Sequence, residues 1–301
     1  MSTEPYIAIV NGAAGGGRCR ARFDAALKRI EGRGVEVKTY LTHAVGHATE
    51  LAREHYARGA RRFLSVGGDG TSYEIVNGLF PEAHAGETPT LAMLPLGTGN
   101  SFLRDFGIEH EDAALEALAR GTTRGVDVVR VTHAGGLLHY INLLTVGFVT
   151  RAGDLTNRRF KVLGDRGYLV AAMIEIARLK LASDPILVDE QPYGDARPAA
   201  FLTFSNSQYT GGAFHIAPHA DPTDGFVDIV RANAMPRLAF TKNLLGAYEG
   251  KHVEDPRVEE SRARKVEFLE PREQLVMLDG EILPLTLESL EVLPGALQVV
   301  A

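Results

Sequence analysis

Cysteine is nearly absent from this 301-residue chain: Cys19 stands alone, so no internal disulfide can form, as befits a reducing compartment. Cys19 sits in a glycine-rich loop at a helix start, where it reads as a small residue rather than a reactive thiol. Long apolar runs are missing too. The longest candidate, Tyr168 to Leu181, is interrupted by Glu175, Arg178 and Lys180, falls short of the roughly 18 residues that span a bilayer, and predicts an amphipathic helix. Positive charge is not in excess. A formal net charge of −6 argues against a general nucleic-acid binder and against strong attraction to anionic lipid. Met1 to Pro5 is polar and leads straight into an apolar run, so no signal peptide is expected. There is no internal repeat and no low-complexity tract. A cytoplasmic protein without a transmembrane segment, meeting membranes only transiently, is the expectation.

What is present is ordinary for a globular protein: 45% hydrophobic and 23% charged residues, over a length sufficient for two domains with sizeable cores. The informative stretch is Val66-Gly67-Gly68-Asp69-Gly70-Thr71-Ser72. The run Arg62 to Val66 reads as a buried strand. Gly67, Gly68 and Gly70 let the backbone turn tightly and approach a ligand, and Thr71 and Ser72 open a helix whose free N–H groups suit a phosphate. Asp69 is the unusual member. A carboxylate beside a polyphosphate repels it unless a divalent cation intervenes or the acid handles a proton, and both point to phosphoryl transfer. No Gly-Lys-Ser/Thr closes the turn as in a Walker A loop, and the spacing is not Gly-x-Gly-x-x-Gly. Strand–glycine–helix turns also occur wherever an α/β chain must reverse, so this turn alone does not decide.

Repetition of the pattern carries more weight. Tyr6 to Val10 is strand-like and ends in Asn11-Gly12-Ala13-Ala14-Gly15-Gly16-Gly17; Leu91 to Pro95 is strand-like and ends in Leu96-Gly97-Thr98-Gly99-Asn100. Helical spacing separates such runs: Phe23, Leu27 and Ile30; Ala48, Leu51, Ala52 and His55; Ile75, Val76 and Leu79. Alternating strands and helices imply parallel β-α-β units, whose ligands gather at the carboxyl ends of the strands. Three glycine-rich turns therefore converge on one edge, as a nucleotide site requires. A helix over Asp112 to Ala119 precedes a boundary near Gly125 to Val131. Beyond it, short runs at Leu137–Asn142, Phe201–Ser205, Phe226–Val230, Val266–Leu269 and Leu275–Leu278 predict an antiparallel, β-rich unit with few long helices. Domains of residues 1–127 and 128–301 are expected, with the last strand returning toward the first.

These residues resemble the diacylglycerol kinase catalytic family, which includes bacterial lipid kinases and sphingosine kinases and is distantly related to NAD kinases and phosphofructokinases. The resemblance rests on Val66 to Thr71, Leu94 to Asn100 and the opening Asn11 loop. It continues through Ile141-Asn142, Val146-Gly147-Phe148, Ser205 to Gly212, Ile216 to Gly225 and Leu278-Asp279-Gly280-Glu281, in family order over nearly the whole chain. Two positions depart: Tyr73 stands where the family has an Asn shortly before the Glu, and Gly12 where it has Pro. The resemblance implies a Rossmann-like α/β nucleotide-binding domain followed by an antiparallel β-sandwich, and an ATP- and Mg²⁺-dependent kinase acting on a lipid alcohol at the membrane surface. A homodimer stays open.

Phosphoryl transfer needs a grip on the triphosphate, a cation and a base. Gly67, Gly68, Gly70 and Thr71 supply the grip. The resemblance adds Gly97, Thr98 and Asn100 and matches Asn11 and Thr42 to nucleotide contacts. Asn11 serves equally well as a turn former, and Thr42 as the N-cap of a helix starting near Ala44. For the base, the resemblance implies Asp279, with Glu281 as metal or orienting partner, and Asp69 as organiser of magnesium and phosphate. If that segment is extended, Asp279 and Glu281 share a face; the alternative is a hairpin Asp-Gly turn. Asp221 and Asp224 lie in an acidic turn that suits a hard cation, and the resemblance implies a structural magnesium there; an Asx turn is the alternative. The stretch 151–168 mixes Arg158, Arg159, Lys161 and Arg166 with Leu155, Phe160, Val162 and Leu163, either a membrane-facing segment or a solvated helix face. His215 reads as a strand residue. A soluble small-molecule kinase and a non-catalytic lipid- or nucleotide-binding regulator are the rival functions.

Overall fold

A computed structural model of the protein describes residues 4–80, 82–97, 99–160, 165–194, 197–212 and 214–301, without the side chains of residues 165 and 166. Its elements run β1 (Tyr6–Val10), α1 (Cys19–Glu31), β2 (Val37–Leu41), α2 (His47–Ala57), β3 (Arg62–Gly67), α3 (Asp69–Leu79), α4 (Glu82–Ala85), β4 (Thr90–Pro95), α5 (Glu111–Arg120), β5 (Thr123–His133), β6 (Gly136–Tyr140), β7 (Leu143–Gly147), α6 (Phe148–Leu155), α7 (Asp165–Ala177), β8 (Ile186–Val188), β9 (Gln191–Tyr193), β10 (Ala199–Ser205), β11 (Tyr209–Thr210), β12 (Phe214–His215), β13 (Val227–Asn233), α8 (Arg237–Gly246), β14 (Val258–Ala263), β15 (Lys265–Phe268), β16 (Glu273–Leu278) and β17 (Glu281–Val300). The chain divides into two compact units: Met1–Val128 with His139–Ile141 and Leu293–Ala301, and Val129–Leu138 with Asn142–Val292.

In the first unit, β1 pairs in parallel with β2 and β3, β3 with β4, and β4 with the end of β17, where Gln298 lies opposite Thr90. Every residue of β1 is buried, which is the mark of a strand covered on both faces. Alternation sorts its side chains. Tyr6, Ala8 and Val10 join a core with Phe23 and Ile30 of α1 and Leu115 and Leu118 of α5. Ile7 and Ile9 point the other way, into a core with Ala52 of α2 and Ile75 and Leu79 of α3. Helices thus cover both faces of the sheet, and the loops that follow β1, β3 and β4 leave at its carboxyl edge.

The second unit is antiparallel, with pairings β14–β13–β10–β7–β16 and the first half of β17 following β16. A smaller group joins β15 to β17 and to β8, and β8 to β9. One core gathers Phe148 and Ala152 of α6, Ala172 and Ile176 of α7, and Phe240 and Leu244 of α8 over Phe201 and Val230 of the strands. Besides the helix expected around Tyr168 to Leu181, helices α6 and α8 also interrupt this unit. Helices α6 and α8 are short and follow a glycine and a proline that read as turn signals, so their apolar residues pass for strand fragments. Tyr168 to Leu181 also differs from the amphipathic helix expected, because α7 is apolar on both sides: Ala171, Ala172 and Ile176 are buried while Leu169, Val170 and Met173 are exposed.

Candidate active site

Three loops of the first unit interlock at the carboxyl edge of its sheet. The Asn11 N–H donates to the Val66 carbonyl at 3.0 Å, and Asn11 Nδ2 lies 3.4 Å from Thr71 Oγ1. Asn11 Oδ1 accepts the Ala13 N–H at 3.1 Å, so this residue shapes its own turn and also reaches the glycine turn after β3. The Gly67 carbonyl accepts the N–H groups of Leu96 at 2.9 Å and Gly97 at 2.7 Å. That approach leaves no room for a side chain: a Cβ on Gly97 would fall 2.4 Å from the Gly68 Cα. Gly67, Gly68, Gly70, Thr71, Gly97, Asn100 and Asn11 are thereby assembled. Asn100 holds a positive φ of 52° and its Nδ2 donates to the Gly97 carbonyl at 3.0 Å. Thr98 lies outside the described residues.

Helix α3 begins at Asp69, two residues earlier than expected, and its N-cap residue, Gly68, has no side chain to cap it. The N-cap position thus supplies no side-chain oxygen to the first-turn N–H groups. Thr42 is not the expected N-cap. Its N–H and hydroxyl both reach the Val10 carbonyl, at 3.0 and 3.4 Å, while α2 starts at His47 after Gly46. The cap of α2 comes from elsewhere: Glu74 Oε1 accepts the Gly46 N–H at 2.9 Å and Oε2 the Ala48 N–H at 3.0 Å.

Asp69 turns its carboxylate toward the loop after β4. Oδ1 and Oδ2 accept the Ser101 N–H at 3.0 and 3.1 Å. Burial pushes the Asp69 carboxyl up, while the N–H groups of Ser101, Phe102 and Asn100 and the Ser101 hydroxyl pull it down. The residue is partly accessible by surface yet packed closely on every other side, so the two influences coexist. Among the described residues no group of three or more His, Cys, Asp or Glu side chains forms a metal cage. Magnesium rarely needs one. It commonly takes one or two carboxylates, substrate phosphates and water, and a single carboxylate beside a glycine turn fits that donor set. Cys19, buried and 3.8 Å from the Val66 carbonyl, has its thiol pushed up by burial, which disfavours the reactive thiolate.

The second unit builds a separate polar centre around Asp279. Asp279 and Gly280 form the hairpin turn between β16 and β17, with φ of 46° and 92°, and Leu278 lies opposite Glu281. The extended reading is therefore corrected: Asp279 is buried, Glu281 is exposed, and they share no face. Yet this is no ordinary surface turn. Asp279 Oδ1 accepts the N–H groups of Asn142 and Leu143, both at 2.9 Å, and the Asp279 N–H donates to the Leu143 carbonyl at 3.0 Å. The Asn142 carbonyl accepts the N–H groups of Asn206 and Ser207 at 2.8 and 3.1 Å, and the Ser207 hydroxyl donates to Asn142 Oδ1. Asn142, Asn206 and Ser207 belong to motifs visible in the sequence, but their adjacency to Asp279 is not.

The turn at residues 221–225 is held in part by its own side chains. Asp221 Oδ1 accepts the N–H and hydroxyl of Thr223 at 3.0 and 2.7 Å, and Asp224 Oδ1 the Phe226 N–H at 3.0 Å. Arg262 lies where a cation would be expected, 3.1 Å from Asp224 Oδ2 and 3.3 Å from Asp228 Oδ1. Burial is the chief influence on Asp228, whose pKa is pushed up to about 6 against the pull of Arg262. His215 is a strand residue as expected, stacked on Tyr209 with ring centroids 4.5 Å apart. Of the mixed basic and apolar stretch, Lys161, Val162 and Leu163 lie outside the described residues, as does the Arg166 side chain; Arg158 pairs with Asp154 at 2.9 Å.

Comparison with known proteins places the chain in a family. Residues 5–131 match the model of the diacylglycerol kinase catalytic domain, and residues 142–301 that of the YegS C-terminal NAD kinase beta sandwich-like domain. The chain belongs to the diacylglycerol kinase catalytic family. It is accordingly a phosphotransferase with an alcohol group as acceptor, built from an α/β catalytic domain and a β-sandwich. The diacylglycerol kinase of Bacillus subtilis (strain 168) is 28% identical over 276 residues, covering 91% of this chain and 88% of the relative. A Pseudomonas fluorescens protein named "Probable lipid kinase YegS-like" is 31% identical, over 91% of this chain and 89% of its own. A crystal structure of a diacylglycerol kinase from Bacillus anthracis str. Sterne is similar throughout, with a TM-score of 0.78 and 26% identity over 100% of this chain and 98% of that one.

Proposed function

We propose that this family member is an ATP- and Mg²⁺-dependent lipid kinase, transferring the γ-phosphate to a hydroxyl of a diacylglycerol- or sphingoid-like lipid at the membrane surface. The observation that carries the reading is the interlocked Asn11, Gly67–Thr71 and Gly97–Asn100 loops at the edge of a parallel sheet, inside a chain matched by a lipid-kinase family over both domains. Backbone N–H groups at the start of α3, the Thr71 hydroxyl and the Gly97 loop, with Thr98, would cradle phosphate oxygens. Asn11 and Thr42 would border the nucleotide. Asp69 fixes the glycine loop after β4 through Ser101 and would offer its remaining lone pairs to the Mg²⁺ that accompanies the nucleotide. That ion would neutralise charge on the phosphates.

Asp279 is proposed as the base. The acceptor hydroxyl gives its proton to the Asp279 carboxylate, its oxygen bonds the γ-phosphorus, and the bond to the β-phosphate oxygen breaks to release ADP. Asn142 and Leu143 hold the carboxylate in one orientation through Oδ1, which general-base work requires. Glu281, on the outer face of the same hairpin, is proposed to orient the acceptor rather than share the proton. Asp221 and Asp224 are given no metal role, because Thr223 engages Asp221 Oδ1 while the Phe226 N–H and Arg262 engage Asp224.

The test is transfer of radiolabelled γ-phosphate from ATP to a panel of lipids in mixed micelles, with and without Mg²⁺, comparing the wild type with Asp69→Asn. A labelled lipid that requires Mg²⁺ and fades in the variant is the expected result. ATP binding with no labelled lipid, but label in a water-soluble alcohol, would overturn the lipid assignment in favour of a soluble small-molecule kinase.

A further inference from the structure

Helices α7 and α8 lie side by side in opposite directions. Arg237 Nε, at the start of α8, donates to the Ile176 carbonyl near the end of α7 at 3.1 Å. At the other end, Phe214 bridges Tyr168 of α7 and Tyr248 just beyond α8, with ring centroids 6.2 and 5.2 Å away. Each helix buries one stripe in the core of the second unit and exposes large apolar side chains on its outer side. On α7 that outer stripe holds Leu169, Val170 and Met173, the last 52% exposed. On α8, Leu238 and Leu245 are 84% and 56% exposed and flank Lys242 at helical spacing. An open groove of about 530 Å³ lined by Leu179, Leu181, Met235 and Pro236 joins the two stripes at one end.

Exposed apolar stripes on two adjacent helices form a patch that a solvated protein surface normally avoids. Exposed cations rim it. Arg178, Lys180, Arg237 and Lys242 are exposed, and none forms an ion pair with a described residue. The acids nearby are already engaged, Glu175 with Arg151 and Glu249 with Lys251. A chain of net charge −6 therefore presents here an apolar surface rimmed by unpaired cations. Lysine stems between leucines can lie along such a surface while the ammonium reaches outward to phosphate.

We infer that the α7–α8 face is the surface by which this protein docks on an anionic phospholipid bilayer. Leu169, Met173, Leu238 and Leu245 enter the interface, and Lys180 and Lys242 meet headgroup phosphates. The inference rests on the lipid-kinase reading for its purpose, but the docking is measured apart from catalysis. The full chain is sedimented with vesicles of phosphatidylcholine alone or mixed with phosphatidylglycerol, and micellar phosphate transfer is assayed in parallel. Wild type is expected to bind the anionic vesicles and to be released by salt. Met173→Asp/Leu238→Asp is expected to bind about tenfold more weakly, with unchanged micellar transfer and thermal melting. Lys242→Ala, at an exposed position without an ion pair, is expected to weaken binding about fivefold whatever the effect of the double variant on folding. Equal vesicle binding by wild type and Lys242→Ala, or no wild-type binding to anionic vesicles, would overturn the docking face. So would a concentration-dependent dimer that Leu238→Asp dissociates without affecting vesicles, since the occupant would then be a second copy. Absence of micellar transfer by the wild type would instead sink the kinase reading, whatever the vesicles show.

Discussion

Two aspartates show how little a residue's neighbours in sequence say about its work. Asp279 stands in an Asp-Gly hairpin turn, a setting that usually exposes the side chain, yet it is buried and grips the N–H groups of Asn142 and Leu143. Asn at this position keeps an oxygen to accept those bonds but cannot take a proton. Asp279→Asn should therefore lower turnover by about 10²- to 10⁴-fold with little change in melting temperature; turnover within a few-fold of wild type would remove Asp279 from the base role. Asp224 is the converse. Its acidic turn has the composition of a cation site, but Arg262 supplies the positive charge. Chelation should leave the melting temperature unchanged, whereas Arg262→Ala should cost roughly 1 kcal/mol, a value kept small because the guanidinium is half exposed. A melting temperature that falls on chelation and recovers with Mg²⁺ would show that a metal holds the turn.

At the scale of elements, α2 and α3 depend on each other. Gly46 offers no side chain to cap α2, and Glu74, on the second turn of α3, supplies both carboxylate oxygens instead. The Thr49 hydroxyl adds a bond to the Glu74 carbonyl at 2.9 Å. Glu74→Ala should therefore destabilise the protein by about 1 kcal/mol, the usual worth of a helix N-cap, and Glu74→Gln should recover part of it. Denaturant unfolding of the two variants checks this, and equal stability of Glu74→Ala and wild type would show the cap to be idle. Strands β1, β3 and β4 and helices α1, α3 and α5 were legible from periodicity and glycine punctuation, because these signals are local. Helices α6 and α8 were not. Their helical state is imposed by packing on the sheet of the second unit, through Phe148, Phe240 and Leu244.

Across the whole molecule, acid sensitivity follows from several buried groups. His55, His215 and His252 all have pKa values lowered chiefly by burial. His252 Nε2 donates to the Ile216 carbonyl at 3.0 Å, a bond that favours the charged ring but is outweighed by burial. A histidine whose folded pKa lies below its unfolded value binds fewer protons when folded, so its contribution is complete above about pH 6.5 and is lost as pH falls below it. Asp228 acts in the opposite sense. Raised to about 6, it binds more protons when folded than unfolded and relieves the fold as pH drops from about 6 toward 4. The melting temperature should hold from pH 8 to 6.5 and fall below that, and Asp228→Asn, lacking the offset, should fall more steeply. A profile of the variant that is flatter than wild type would reverse the assignment.

The sequence by itself determined the parallel α/β edge with its three glycine loops, the β-rich second half and the family, because glycine turns, close backbone approaches and strand periodicity are constraints between residues a few positions apart. Only the tertiary structure decided which carboxylates are gripped and by what. Asn142 meets Asp279, Arg262 meets Asp224, and Glu74 caps a helix 28 positions upstream. Tertiary packing likewise left α7 apolar on its outer side. Such contacts are set by how sheets and helices fold back on one another, and burial and partner choice come from that return of the chain rather than from the order of its residues.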